Sequence, residues 1–188
     1  MKKLILLPLL LVATPAFAQT TDTGLRPVEI VGTAIPACLM RAPLDASGVN
    51  ANFRGLSGTS GEIRIVEMVN PLTATPRNTS LSLSFPVICN SAHLLRIQSS
   101  NGGLRRLGSN ERNQSRGAFA EFLPYSLSAQ WAGQSRSQLS NVLGGLQINS
   151  ANGGAGTVDF GFSVPAGNTP LVAGAYADTI TVEFRAAN

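Results

Sequence analysis

The chain has 188 residues, a formal net charge of +4, 13% charged residues and 44% hydrophobic residues. Its only lysines are Lys2 and Lys3, so every other strong base is an arginine, and the charge balance gives no case for nucleic-acid binding. One histidine and two cysteines are too few soft ligands for a typical zinc site, and no cofactor is implied.

Lys2 and Lys3, the apolar run from Leu4 to Val12 and the small-residue pattern Ala16-Phe17-Ala18 before Gln19 predict a secretory signal peptide over residues 1–18. The apolar run is too short for a permanent membrane-spanning helix. Loss of the two lysines with the signal lowers the formal charge from +4 to +2. The remainder is enough for one domain of ordinary size. Export also sets the expectation for Cys38 and Cys89: in an oxidising compartment the pair is expected to form a disulfide.

Along the mature chain, Val28 to Ala34 reads as a weak strand, with Val28, Ile30 and Gly32 alternating against Glu29, Val31 and Thr33. A second weak strand is expected over Glu62 to Val69, where the apolar phase slips between Ile65 and Val66 as a bulge would produce. The first clean alternation places Leu81, Leu83, Phe85, Val87 and Cys89 opposite Ser82, Ser84 and Pro86. Leu94 to Gln98 is a further weak strand. Leu104 to Arg116, carrying Arg105, Arg106, Arg112 and Arg116, reads as a long surface loop or hairpin.

Clean alternation returns at Tyr125, Leu127, Ala129 and Trp131, all expected in the core, then at Val158, Phe160, Phe162 and Val164, and last at Ile180, Val182 and Phe184. Breakers separate these runs at Asn70-Pro71, Asn101-Gly102-Gly103, Gly144-Gly145, Asn152-Gly153-Gly154 and Pro165 to Pro170. No segment has helical periodicity. About seven short strands divided by turns predict an all-β antiparallel sandwich of the immunoglobulin-like class.

Catalytic chemistry finds no foothold. His93 is the sole histidine, and the mature chain contains no Gly-x-Ser-x-Gly elbow to carry a nucleophile. Asp159 and Glu183 lie on the polar faces of their strands, where solvation explains them. The glycine-rich stretch Asn152 to Gly156 lacks the Gly-Lys-Ser/Thr ending of a phosphate loop and leads into a strand. Asn78-Thr79-Ser80 and Asn113-Gln114-Ser115 match the glycosylation sequon, a pattern short enough to be expected by chance. No catalytic residue and no metal ligand are expected.

A signal peptide, a cysteine at Cys38, a second cysteine ending a strand at Cys89, the run Leu123-Pro124-Tyr125-Ser126-Leu127 and then Trp131-Ala132-Gly133 resemble the spore coat protein U domain. The ending Ala173-Gly174-Ala175-Tyr176-Ala177-Asp178-Thr179-Ile180-Thr181-Val182 is similar to that of the same family and of chaperone-usher pilins. The chain departs from the family at Phe53-Arg54-Gly55, where an arginine separates a phenylalanine-glycine pair, and in lacking additional cysteines. The resemblance implies a pilin-like sandwich over residues 35–188, left incomplete and completed by a donor strand.

It also implies a pilus subunit of the archaic chaperone-usher kind, exported through the periplasm to the cell surface and serving adhesion and biofilm formation. The implied partners are a periplasmic chaperone, an outer-membrane usher and neighbouring subunits. Residues 19–34 would be an N-terminal extension or donor strand, overlapping the first strand, with Val28, Ile30 and Gly32 as donor residues. Ile180, Val182 and Phe184 would form the groove edge that pairs with the chaperone. The alternative is a self-contained secreted or coat-associated binding module with a complete sandwich, its arginine-bearing loop meeting an anionic ligand.

Overall fold

The computed structural model describes residues 29–56, 59–112 and 117–187. The expected signal peptide, Val28, Arg116 and the second sequon lie outside them. The chain divides into residues 1–34 and a compact unit, Ile35–Asn188. The described residues contain no helix, and none that could cross a membrane.

Residues 29–34 form no strand, contrary to the expectation for Val28 to Ala34, and Ile30 and Val31 are 92% and 83% exposed. Alternation alone does not make a strand, because its backbone groups need a paired neighbour. The first strand is instead β1 (Cys38–Met40), which pairs antiparallel with the end of β5 (Thr79–Cys89) in the register Cys38 opposite Cys89. The same two residues form the expected disulfide, with a Cα–Cα distance of 4.1 Å. β2 (Asp45–Val49) continues along β5, placing Asp45 opposite Ser84 and Val49 opposite Ser80.

At Asn50 the chain leaves this sheet through a left-handed turn, φ 57°, a conformation asparagine tolerates. The Asn50 amide also donates to Glu67 O (2.7 Å) and Thr79 Oγ1 (2.8 Å) and accepts from Glu67 N (2.9 Å). These bonds tie the following hairpin, β3 (Ala51–Gly55) and β4 (Gly61–Ile65), to the sandwich. The bulge expected between Ile65 and Val66 is in fact the end of β4: Val66 N donates to Asn50 O at 3.0 Å and its side chain is exposed.

The large sheet runs β1-β5-β12-β9-β10, with β2 also on β5. Its other members are β9 (Ser126–Trp131), β10 (Gln134–Leu139) and β12 (Gly154–Val164). β12 begins at Gly154, so two of the glycines read as a breaker or loop, Gly154 and Gly156, belong to a strand. Trp131-Ala132-Gly133-Gln134 is a two-residue hairpin in which Ala132 and Gly133 both have positive φ, the type I′ geometry that matches strand twist. The second sheet has the order β11-β6-β14, formed by β6 (His93–Ser99), β11 (Leu146–Ser150) and β14 (Ile180–Ala186). A small third sheet joins β7 (Leu104–Arg106), β8 (Phe122–Leu123) and β13 (Tyr176–Ala177).

The core draws on both main sheets. Leu81, Leu83, Val87 and Cys89 of β5, Leu127, Ala129 and Trp131 of β9 and Val158, Phe160, Phe162 and Val164 of β12 pack with Leu95, Ile97, Leu146 and Ile148 of the second sheet. Tyr125 and Trp131 are 0% and 4% exposed, as expected of core residues. The protein is an all-β, immunoglobulin-like antiparallel sandwich, with more strands than the seven that alternation marks.

Candidate functional site: an apolar cleft beside the last strand

β14 pairs with β6 along one edge, from Ile180 opposite Ser99 to Ala186 opposite His93. Among the described residues no strand pairs with its other edge. Beside β14 lies a cleft of about 790 Å³. Ile180 and Val182 form one wall, and Met40 to Pro43 with Phe53, Ile63 and Ile65 of the β3–β4 hairpin form the other. Leu83, Phe85, Phe160 and Phe162, all on the inward faces of β5 and β12, also line it. Arg41, Thr59, Glu62 and Arg64 line it as well, so two edges of the sandwich are separated by a trough of mainly apolar but mixed lining beside an unpaired strand.

Not every expected groove residue lies there. Ile180 and Val182 line the cleft, whereas Phe184 packs with its ring 5.5 Å from Trp131 and 6.0 Å from His93. The alternation is correct for all three, but near the end of β14 the ring meets an aromatic cluster. Cys38 and Cys89 form their disulfide at this same end of the sandwich.

One end of the cleft carries polar residues that sequence reasoning gave no individual role. The Asp178 carboxylate accepts from Tyr125 Oη (2.7 Å), the Ser99 hydroxyl, Asn101 N (2.9 Å) and Thr179 N (2.7 Å). Burial pushes the Tyr125 hydroxyl far above the usual tyrosine range, so it remains a donor throughout ordinary pH. Nearby, the Tyr176 hydroxyl lies 3.0 Å from Ala120 O and 2.8 Å from Val172 O, and burial raises its pKa as well. The Tyr176-Ala177-Asp178-Thr179 run therefore pins the entry to β14 against β6 and the Tyr125 ring. The signal for this role was the motif itself, but its partners are 53 to 79 residues away.

Asp178→Ala should cost about 3 kcal/mol, because it strands a buried tyrosine hydroxyl and releases three further donors. Thermal unfolding should show a midpoint lower by about 6–12 °C. A shift below about 2 °C would mean the network contributes little.

The remaining polar clusters are structural. His93 lies beside Cys38 and Cys89, their ligand atoms all within 4.8 Å, but the two sulfurs are bonded to each other. Trp131 Nε1 donates to His93 Nε2 at 2.7 Å, which leaves Nδ1 to donate to Ser91 O at 2.9 Å. Both ring nitrogens are therefore engaged. The arginine-bearing segment begins as β7 and pairs antiparallel with β8, the hairpin of the two expected alternatives. Arg106 Nε donates to Glu121 Oε1 at 2.8 Å, and hydrogen bonds from Ser109 and Arg106 hold the Glu121 carboxyl below its usual range.

A two-sheet antiparallel sandwich with an apolar cleft along an unpaired edge defines the class of protein: an immunoglobulin-like domain with an open edge. The chain belongs to the Spore Coat Protein U domain family, whose model matches residues 29–183. A chain of a solved structure described as a chaperone–tip adhesin complex vital for synergistic activation of CFA/I fimbriae biogenesis is also similar. It shares 18% identity at a TM-score of 0.44, over 73% of this chain and 43% of that one. The present chain thus corresponds to less than half of that chain's length. No curated protein matches.

Proposed function

We propose that the protein is a structural subunit of a surface pilus, assembled by the chaperone-usher route through donor-strand complementation and serving adhesion and biofilm formation. The observation that carries this reading is the cleft beside β14, where the unpaired edge carrying Ile180 and Val182 faces Phe53 and Ile63 of the β3–β4 hairpin across a trough. Membership of the Spore Coat Protein U domain family supports it. The occupant is residues 19–34 of a second copy, whose Val28, Ile30 and Gly32 would point into the trough while Glu29, Val31 and Thr33 point out. Head-to-tail filling of this kind builds a filament and not a closed ring.

Before assembly the same edge, at Ile180, Val182 and Phe184, would be held by a periplasmic chaperone, and an outer-membrane usher would pass the subunit to the cell surface. The unpaired edge of β14 beside this cleft weighs against a complete, self-contained binding module. The test is Val182→Arg, which places a guanidinium in the trough. Chaperone co-purification and surface filaments should both be lost, by tenfold or more. Wild-type filament yield from this variant would overturn the reading.

A further inference from the structure

The arginine-bearing segment has no part in the cleft beside β14 through Arg105, Arg106 or Arg112, and the structure sorts these three cations. Arg105 sits in β7 opposite Phe122 of β8 and Ala177 of β13, and Arg106 is paired with Glu121. Arg112 is exposed and has no hydrogen bond or ion pair among the described residues. It lines a second cavity, of about 240 Å³, at the end of the sandwich where β6 finishes at Ser99. This cavity shares no lining residue with the cleft.

Two turns wall the cavity, one after β6 and one between β10 and β11, and buried serines lock them together. Ser140 Oγ accepts from Tyr125 N at 3.0 Å and donates to Gly102 O at 2.8 Å, while Ser99 Oγ accepts from Gly102 N at 2.7 Å. Gly102 has φ 78°, a left-handed conformation that suits glycine. The second turn is fixed at Gly144, whose carbonyl accepts from Arg96 Nε at 3.2 Å and Gln147 Nε2 at 3.1 Å. A ligand therefore meets walls that are already ordered, which lowers the cost of binding. What the walls leave over is polar: the Ser100 hydroxyl and the Asn141 carboxamide join Arg112 in having no side-chain partner among the described residues.

Size and chemistry narrow the ligand. Sites for drug-sized molecules measure about 300–1,000 Å³, so this smaller cavity takes a group the size of one sugar ring. Arg112 is its only charged lining residue, and the nearby Asp178 carboxylate is already held by Ser99, Asn101, Tyr125 and Thr179. One guanidinium matches one carboxylate through two parallel hydrogen bonds, whereas a phosphate dianion would keep half its charge unmatched. Hydroxyl and carboxamide groups both donate and accept, as ring hydroxyls require. Val142 and Leu143, 48% and 97% exposed, add an apolar contact for the C–H face of a sugar.

We infer that this cavity is a binding site for a sugar carboxylate of the uronic acid class, with Arg112 holding the carboxylate and Ser100 and Asn141 the ring hydroxyls. The inference stands without the donor-strand reading.

The experiment attaches the chain of residues 19–188 to a sensor surface at low density, which keeps copies apart, and passes glucuronate, glucose and inorganic phosphate over it by surface plasmon resonance. Wild type should bind glucuronate saturably, and glucose and phosphate roughly tenfold more weakly. Arg112→Gln breaks no bond among the described residues and should weaken glucuronate binding by about tenfold or more, through loss of a charge-assisted pair. Arg112→Lys keeps the charge but not the two-pronged geometry and should fall between them. Asn141→Ala should weaken glucuronate binding by about threefold. Arg105→Gln, outside the cavity, should change nothing. Emission from the buried Trp131 reports folding of each variant.

Absence of glucuronate binding by wild type overturns the inference, as does equal binding by Arg112→Gln. Phosphate bound as tightly as glucuronate also overturns it, because the cavity would then be a site for any small anion. Each of these outcomes leaves the pilus reading standing.

Discussion

Fusing a second copy of residues 19–34 after Asn188 should convert the chain of residues 19–188 into a markedly more stable monomer. β14 ends at Ala186, so a short turn returns the added segment antiparallel along the open edge and into the trough. Burying Val28 and Ile30 there contributes about 1.5–3 kcal/mol each, for roughly 5 kcal/mol in all. For a domain of this size the unfolding midpoint should rise by about 10–20 °C. Size-exclusion chromatography should show the unfused chain associating or aggregating as concentration increases, since an unpaired edge beside core side chains recruits other chains. The same fusion carrying Ile30→Asp should lose most of the gain. An unfused chain that is already a stable monomer and gains nothing from the fusion would establish a complete sandwich.

Cys38→Ser should be the most damaging single substitution at the cysteine pair. The disulfide closes a loop across a sequence separation of 51, worth about 4 kcal/mol in the chain-entropy account. β1 is only three residues long, so its hold on β5 depends heavily on this bond. β1 also supplies Met40 to the cleft wall, and its loss should weaken donor uptake as well as stability. Accumulation of folded protein should drop sharply, and the unfolding midpoint should fall by about 8–16 °C. Dithiothreitol should reproduce the shift in wild type and not in the variant. Unchanged accumulation and midpoint would show that pairing along β5 holds β1 without the bond.

The strands legible in the sequence are those with one face in the core. Leu81 to Cys89, Tyr125 to Trp131, Val158 to Val164 and Ile180 to Phe184 alternate because one side meets apolar neighbours and the other meets polar surroundings. β2, with the sequence Asp-Ala-Ser-Gly-Val, is exposed throughout and carries no such pattern. β10, an edge strand of mostly polar residues, is likewise silent, and its only signal is the Ala132-Gly133 turn that folds it back onto β9. Val28 to Ala34 shows the converse: the alternation is present, yet the described residues 29–34 form no strand.

From the sequence alone came the all-β class, the four core strands, the pairing of the only two cysteines and the absence of a recognisable catalytic motif. Each rests on a local period, a count or a residue type. Tertiary structure decided that Ile180 and Val182 border a cleft while Phe184 belongs to an aromatic cluster, and that Asp178 gathers donors from Ser99 and Tyr125. These depend on which strands become neighbours. A period of two reports which face of a strand is buried, but it carries no information on the partner opposite or on whether an edge is left unpaired.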